Sequence, residues 1–205
     1  MKVGLNLLLA AVVLVCCNGA IAQVASPDGF KRFSFLAGAN ASNMNFNNSP
    51  TSSGTPVASS WKAGLTVGVA VRVELFDNFY FHPGYYYMQR NGADKSKETT
   101  YTIDYLSLPV LFNYDISSRF SLFAGPQFDL LINAKSEANG VNSTITHDVE
   151  ERSIAITGGL EIEIIDPFFI TLQYMHGFNH IGIGQRSNVK EFKYQGVNVM
   201  AGIRF

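Results

Sequence analysis

Val197-Asn198-Val199-Met200-Ala201-Gly202-Ile203-Arg204-Phe205 alternates at every step. Val197, Val199, Ala201, Ile203 and Phe205 fall on one face of an extended chain, and Asn198, Met200, Gly202 and Arg204 fall on the other. The segment reads as a strand. A strand with one apolar face fits a sandwich, and it fits equally a closed barrel whose apolar face meets lipid while its polar face lines an interior. The final aromatic residue, Phe205, is how strands of the second kind usually end. The remaining sequence decides between them.

Working back from this strand, seven more alternating segments can be marked. Together the eight run over 32–43, 60–75, 79–90, 99–115, 119–135, 151–165, 169–178 and 192–205. The connections switch between short (Phe76-Asp77-Asn78, Ile116-Ser117-Ser118, Asp166-Pro167-Phe168) and long (Met44 to Ser59, Asn91 to Glu98, Ser136 to Glu150, Asn179 to Glu191), the long ones rich in Asn, Ser, Thr and Gly. An even strand count with short and long connections in strict alternation predicts an eight-stranded antiparallel up-and-down transmembrane β-barrel, all-β, with its turns and both ends on one side of the membrane and its loops on the other.

Paired residues point to the same face, so each tight turn checks the phase of its two strands. Ala63, Leu65, Val67, Val69, Val71 and Val73 form an apolar face opposite Gly68, Ala70, Arg72 and Glu74, and a three-residue loop pairs Arg72 with His82 and Glu74 with Tyr80. The same loop geometry pairs Glu163 with Thr171 and Glu161 with Gln173. In the middle hairpin Leu108, Val110, Phe112 and Tyr114 share the outward face with Phe120, Leu122, Ala124 and Phe128. Continuing that parity points Thr102 and Asp104 outward, with Asp104 carried to the bilayer edge or beyond. Aromatic residues collect at two levels: Phe76, Phe79, Tyr114, Phe120, Phe168, Phe169 and Phe205 near the turns, and Trp61, Tyr87, Tyr101, Phe178, Phe192 and Tyr194 near the loops. Two such belts suit rings seated at headgroup level.

The 205 residues carry no linker that would divide them, which predicts one domain. A net charge of -1 provides no basic field, so nucleic acid is not an expected partner. Charged residues make up only 15%, which suits a surface that partly faces lipid. Lys2, the apolar run Leu5 to Cys17 and the small-x-small Ala20-Ile21-Ala22 predict a signal peptide over 1–22, with mature protein beginning at Gln23 and a short periplasmic segment over 23–31 before the barrel at 32–205. Cys16 and Cys17 then leave with the signal, so neither disulfide nor thiolate metal site is expected. Acylation of one of them is the alternative; it is disfavoured by Val15 and Cys16 standing where lipoprotein processing prefers a small residue.

The expected interior near the turns gathers Arg72, Glu74, His82, Glu161, Glu163 and Arg204. Charges in a narrow interior must pair, which predicts a structural polar network filling the lumen, since eight strands leave room for side chains rather than for a wide pore. A proton or solute path along these groups is the functional alternative. No Gly-x-Ser-x-Gly, His-Glu-x-x-His or phosphate-binding loop is present, and His82, His147, His176 and His180 are dispersed. No catalytic residue, metal or cofactor is therefore assigned. A lipid-modifying hydrolase using His176 and a loop serine stays as the alternative.

Phe81-His82-Pro83-Gly84-Tyr85-Tyr86-Tyr87 followed by Asn91-Gly92, Tyr105-Leu106-Ser107-Leu108-Pro109-Val110-Leu111-Phe112, Phe123-Ala124-Gly125-Pro126 and the last strand resemble the outer membrane protein beta-barrel domain family of Bacteroidota, often called PorT-like. The resemblance covers nearly all of the chain after residue 22. It implies an integral protein of the cell outer membrane and gives no catalytic residues to carry over; a few members are linked to assembly of a protein secretion system. The expected partners are outer-membrane lipid and, during insertion, the barrel-assembly machinery, for which the strand ending in Phe205 is the signal. The expectation for function is a non-enzymatic barrel that is structural or binds through its long loops, with a lipid-modifying enzyme, a secretion-associated component or a soluble ligand-carrying barrel as alternatives.

Overall fold

The computed structural model describes residues 32–45, 59–94, 99–138, 140–147, 149–178, 181–183 and 190–205. The expected signal peptide, the segment 23–31 and most of the first long loop lie outside these. Among the described residues eleven strands follow one another: β1 (Phe33–Asn45), β2 (Ser59–Val71), β3 (Val73–Phe76), β4 (Phe79–Asp94), β5 (Thr99–Ser117), β6 (Phe120–Ala138), β7 (Val141–Thr144), β8 (Arg152–Ile165), β9 (Phe168–Gly177), β10 (Ile181–Ile183) and β11 (Lys190–Arg204). Each barrel strand pairs antiparallel with its neighbour in sequence, and β1 pairs β11 from Ser34↔Arg204 to Asn45↔Lys193, which closes the sheet. The result is a closed eight-stranded antiparallel barrel: β3 extends β2 toward the turns, while β7 and β10 are short pieces at the loop side.

Alternation follows the expected phase. Leu65, Val67 and Val69 are exposed on the outer face while Thr66, Ala70 and Arg72 are buried. Phe112, Tyr114, Phe120, Leu122 and Phe128 also point out. A barrel in water would bury such residues; here the large exposed side chains form the outer wall.

The three tight connections share one geometry, and it differs from the expected one. Each is a two-residue turn entered by a bulge. Phe76↔Phe79 is followed by Glu74↔Tyr80, Ser117↔Phe120 by Asp115↔Ser121, and Ile165↔Phe168 by Glu163↔Phe169, so Leu75, Ile116 and Ile164 are the extra residues. The Glu74–Tyr80 pair stands as expected. The last hairpin does not: Glu161 pairs with Thr171 and Glu163 with Phe169, two residues away from the predicted register. Because side chains repeat every two residues, the slip changed partners without changing faces.

At the loop side the strands outrun the expected boundaries. Asn91 to Asp94 belong to β4 and pair with β5, and Ser136 to Ala138 continue β6 before it folds back as β7. Two segments read as loops are thus partly strand. The β2–β4 ladder is interrupted between Trp61 and Thr66, and side chains from β1 fill the gap. Asn40 donates to the Leu65 and Gln89 carbonyls at 3.1 and 2.9 Å, and Ser42 exchanges hydrogen bonds with the Asn91 backbone at 2.8 and 3.0 Å. Polar backbone groups that lose their ladder partners inside a barrel need such substitutes.

The aromatic belts are corrected at three places. Phe169 and Tyr194 point into the lumen, and Tyr101 packs against the interior cluster. Phe76, Tyr114, Phe120, Phe168 and Phe205 face outward at the turn end, as do Trp61, Tyr87 and Phe178 at the loop end. Two inner rings sit where the paired residue on the neighbouring strand has no side chain. Tyr86 lies over Gly68, and Phe169 lies over Gly202, leaving no space for a methyl group at either glycine.

Candidate functional site

The lumen holds two charged clusters, one near the turns and one near the loops. The first is drawn together from six strands and the break between β2 and β3. Arg72 Nη2 meets Asp115 Oδ1 at 2.5 Å, and Ser121 Oγ donates to the same oxygen at 2.6 Å. Arg204 Nη2 meets Glu161 Oε1 at 2.5 Å, with Arg72 Nη1 at 3.9 Å from that oxygen. The Arg72 guanidinium lies 3.7 Å from the Tyr80 ring centroid and that of Arg204 lies 4.6 Å from Phe169. Two cations face two anions, so the cluster is neutral, and flat rings take the guanidinium faces that the carboxylates leave open.

Of the residues expected here, Arg72, His82, Glu161 and Arg204 are inside or at the rim of this cluster. Glu74 is not. All of β3 is exposed: β1 begins pairing at Phe33↔Val71, the Arg72 amide still bonds the Arg32 carbonyl at 2.7 Å, and among the described residues none on that side accompanies the chain beyond it. Glu163 is half-buried at the rim, its amide bonded to the Arg119 carbonyl. The carboxylate that the sequence reading missed is Asp115. Its signal was present: Asp115 has the parity of Leu111 and Asn113, both buried.

The second cluster was not foreseen at all. Arg90 Nη1 lies 2.8 Å from Asp129 Oδ2, with both side chains almost entirely buried. Gln127 Nε2 donates to Asp129 Oδ1 at 2.8 Å and accepts at Oε1 from Thr157 and Gln173 at 2.9 and 3.4 Å. Arg90 Nη2 reaches the sulfur of Met175 at 2.9 Å, and the rings of Tyr105 and Tyr194 stand 4.9 and 5.3 Å from the guanidinium. Around and above this level Met44, Ile103, Ala134 and Ala155 pack with Val149 and Ile181, two residues from the loop-side connections. The loops therefore close the lumen with apolar side chains.

Between the clusters lies a void of about 10 Å³ lined by Leu36, His82, Tyr86, Glu161 and Met200, room for roughly one water molecule. This arrangement can hold charge and shape; along its length the described lumen is packed with side chains. His176 sits half-buried on the outer side, its Nδ1 3.5 Å from the Tyr174 hydroxyl and its ring edge-on to Phe178. His147 is exposed, and His180 lies outside the described residues. Among the described residues no three His, Cys, Asp or Glu side chains gather as a metal site.

On the outer face just above the last apolar residues, polar side chains line up across three strands. Gln89 and Asn133 donate to the two oxygens of Asp104 at 3.3 and 3.2 Å, and the Tyr87 hydroxyl bonds the same carboxylate. Asp104 points outward, as its parity required.

Solved structures share this architecture. Neisserial surface protein A covers 84% of this chain and 97% of its own at 14% identity, with a TM-score of 0.53. Ail, the attachment invasion locus protein of Yersinia pestis, covers 85% and 99% at 16% identity, with a TM-score of 0.51. At such identities the likeness is one of fold. No curated protein matches the sequence. The sequence profile of the family described as outer membrane protein beta-barrel domain matches residues 21–182. An apolar outer wall on a closed barrel and a profile match over most of the length lead to one conclusion: the chain belongs to the outer membrane protein beta-barrel domain family and is an integral protein of the outer membrane.

Proposed function

We propose that the protein is a non-enzymatic barrel that works through its loop-side face. The observation that carries this reading is the filled lumen: two charge-balanced clusters and the apolar cap of Val149 and Ile181 leave recognition to the projecting strands and loops. Arg72, His82, Glu161 and Arg204 are structural in this reading, fixing the cross-section of the barrel rather than moving a solute. Residues 1–22 are a signal peptide cleaved before Gln23, 23–31 a short periplasmic segment and 32–205 the barrel, inserted by the barrel-assembly machinery with the strand ending in Phe205 as its signal. Kinship with the PorT-like proteins of Bacteroidota belongs to the same reading, supported by Phe81–Tyr87 and Leu106–Phe112. The names of the two structural neighbours, a surface protein and an attachment protein, describe roles at that same cell face.

The test has two parts. Asn142→Cys, in the β6–β7 hairpin, should react with an impermeant maleimide on intact cells, and Asp77→Cys should react only after lysis. Pure protein in phospholipid vesicles should leave the lipids chemically unchanged and pass no ions. Labelling of Asp77→Cys on intact cells would invert the orientation, and altered acyl chains would establish a lipid-modifying enzyme instead.

A further inference from the structure

We propose that the outer face of the wall formed by β4, β5, β6 and β7 binds the sugar headgroups of outer-leaflet glycolipid. The inference rests on the loop-side orientation proposed above. The barrel is not equally tall all round. β4, β5 and β6 have 16, 19 and 19 residues, whereas β8 and β9 have 14 and 10. On the tall side the outer face is apolar up to Tyr87, Leu106, Leu130 and the bulged, exposed Ile132, then turns polar on the rung Gln89↔Asp104↔Asn133, and remains polar on the one above, Asn91↔Thr102↔Lys135↔Thr144. From Gln89 to Asp94 the wall rises about 10–15 Å, the depth of a sugar layer rather than of a hydrocarbon chain. The polar rungs thus continue a surface already occupied by lipid, and what stands against them is the headgroup of the same molecules.

The chemistry suits hydroxyl groups better than bare phosphate. Asp104 is held by two amides and a phenol, and Thr146 donates to Asn133 Oδ1 at 3.4 Å, so the side chains of this rung are fixed before anything binds. A merely solvated face needs no such cross-strand ladder. Each fixed amide retains a further N–H, which together with the carboxylate gives adjacent donors and acceptors at the spacing of neighbouring strands, the pattern that vicinal hydroxyls require. Lys135, exposed on the upper rung, adds one cation for an acidic sugar.

The test uses the full barrel folded in phospholipid vesicles containing lipopolysaccharide, extracted gently and analysed by mass spectrometry for glycolipid retained per barrel. The parent should retain lipopolysaccharide in preference to phospholipid. Losing two such amides in Gln89→Leu/Asn133→Leu should lower retention about tenfold. Lys135→Ala, which removes only an exposed side chain, serves as the variant certain to be assessed in a folded barrel and should lower retention of lipopolysaccharide while leaving phospholipid unchanged. Heat-modifiable migration reports folding in each case. Equal retention by folded parent and both variants would overturn the proposal, as would displacement of the lipid by free core oligosaccharide at equal concentration, since the site would then read soluble glycan. If Asn142→Cys were labelled from outside and retention still did not change, the inference alone would fall; if it were not labelled, the orientation beneath it would fall first.

Discussion

The two charged clusters in the lumen use the same residue types under different exposure. Near the turns, Asp115 and Arg204 keep 22% and 11% of their side-chain surface in solvent, and Glu161 has two arginines within reach. Near the loops, Arg90 and Asp129 keep 1% and 0%, and each has the other as its ionic partner. A buried charge that loses its partner is far more costly than a rim charge that can turn to water or to a second cation. Partner number and access to water, rather than the count of ion pairs, should therefore decide which cluster the fold depends on.

Substitutions in the lumen and on the lipid face can break or sharpen that contrast. Arg90→Ala should be the most damaging, destabilising the barrel by roughly 3–5 kcal/mol in urea unfolding from vesicles, because Asp129 is left charged in a sealed interior. Arg90→Met with Asp129→Leu should recover much of the loss, and absence of recovery would mean the pair does more than cancel its own charge. Val69→Arg comes next. It places a cation on the lipid side of a strand whose lumen side carries Arg72, at a cost of roughly 2–4 kcal/mol if Val69 lies near mid-bilayer, while Ala70→Ser, one residue on, should fold nearly as the parent does. Arg72→Ala should have a smaller effect, about 1.5–3 kcal/mol, because Glu161 keeps Arg204 and Asp115 can reach water. An effect as large as that of Arg90→Ala would erase the distinction between the ends. Glu74→Gln should leave the unfolding midpoint where it was, and a marked shift would restore Glu74 to the turn-side cluster.

What the sequence disclosed tracks where the chain has lipid on one side. There alternation is forced, and the faces of Leu65 to Ala70 or Val197 to Phe205 could be assigned residue by residue. Above the lipid both faces meet polar surroundings. Asn91-Gly92-Ala93-Asp94 and Ser136-Glu137-Ala138 then lose their alternation while keeping their ladder, and strands look like loops. The turn-side cluster was legible because tight turns fix which strands lie opposite one another. Arg90 and Asp129 followed the same parity, but they lie far from any tight turn that would have drawn attention to them. Phe169 and Tyr194 were misplaced for a related reason. Their height in the barrel suggested a belt, whereas their parity with Thr171 and Asn198 pointed inward. The two-residue error at Glu161 shows the limit of hairpin reasoning, for parity is insensitive to any even slip.

The rings of Tyr86 and Phe169 rest on Gly68 and Gly202 with no room for a methyl group. In the genetic code, glycine and alanine differ at a single base, so the most accessible substitution at these two positions is also among the least tolerable. The glycine cannot change first: at Gly202 the ring stands in the way, and at Gly68 the Tyr85 carbonyl oxygen, 2.5 Å from where a methyl carbon would lie, stands there as well. Descendants of this sequence should therefore keep both glycines for as long as they keep the rings, while the lipid-facing valines wander freely among apolar residues.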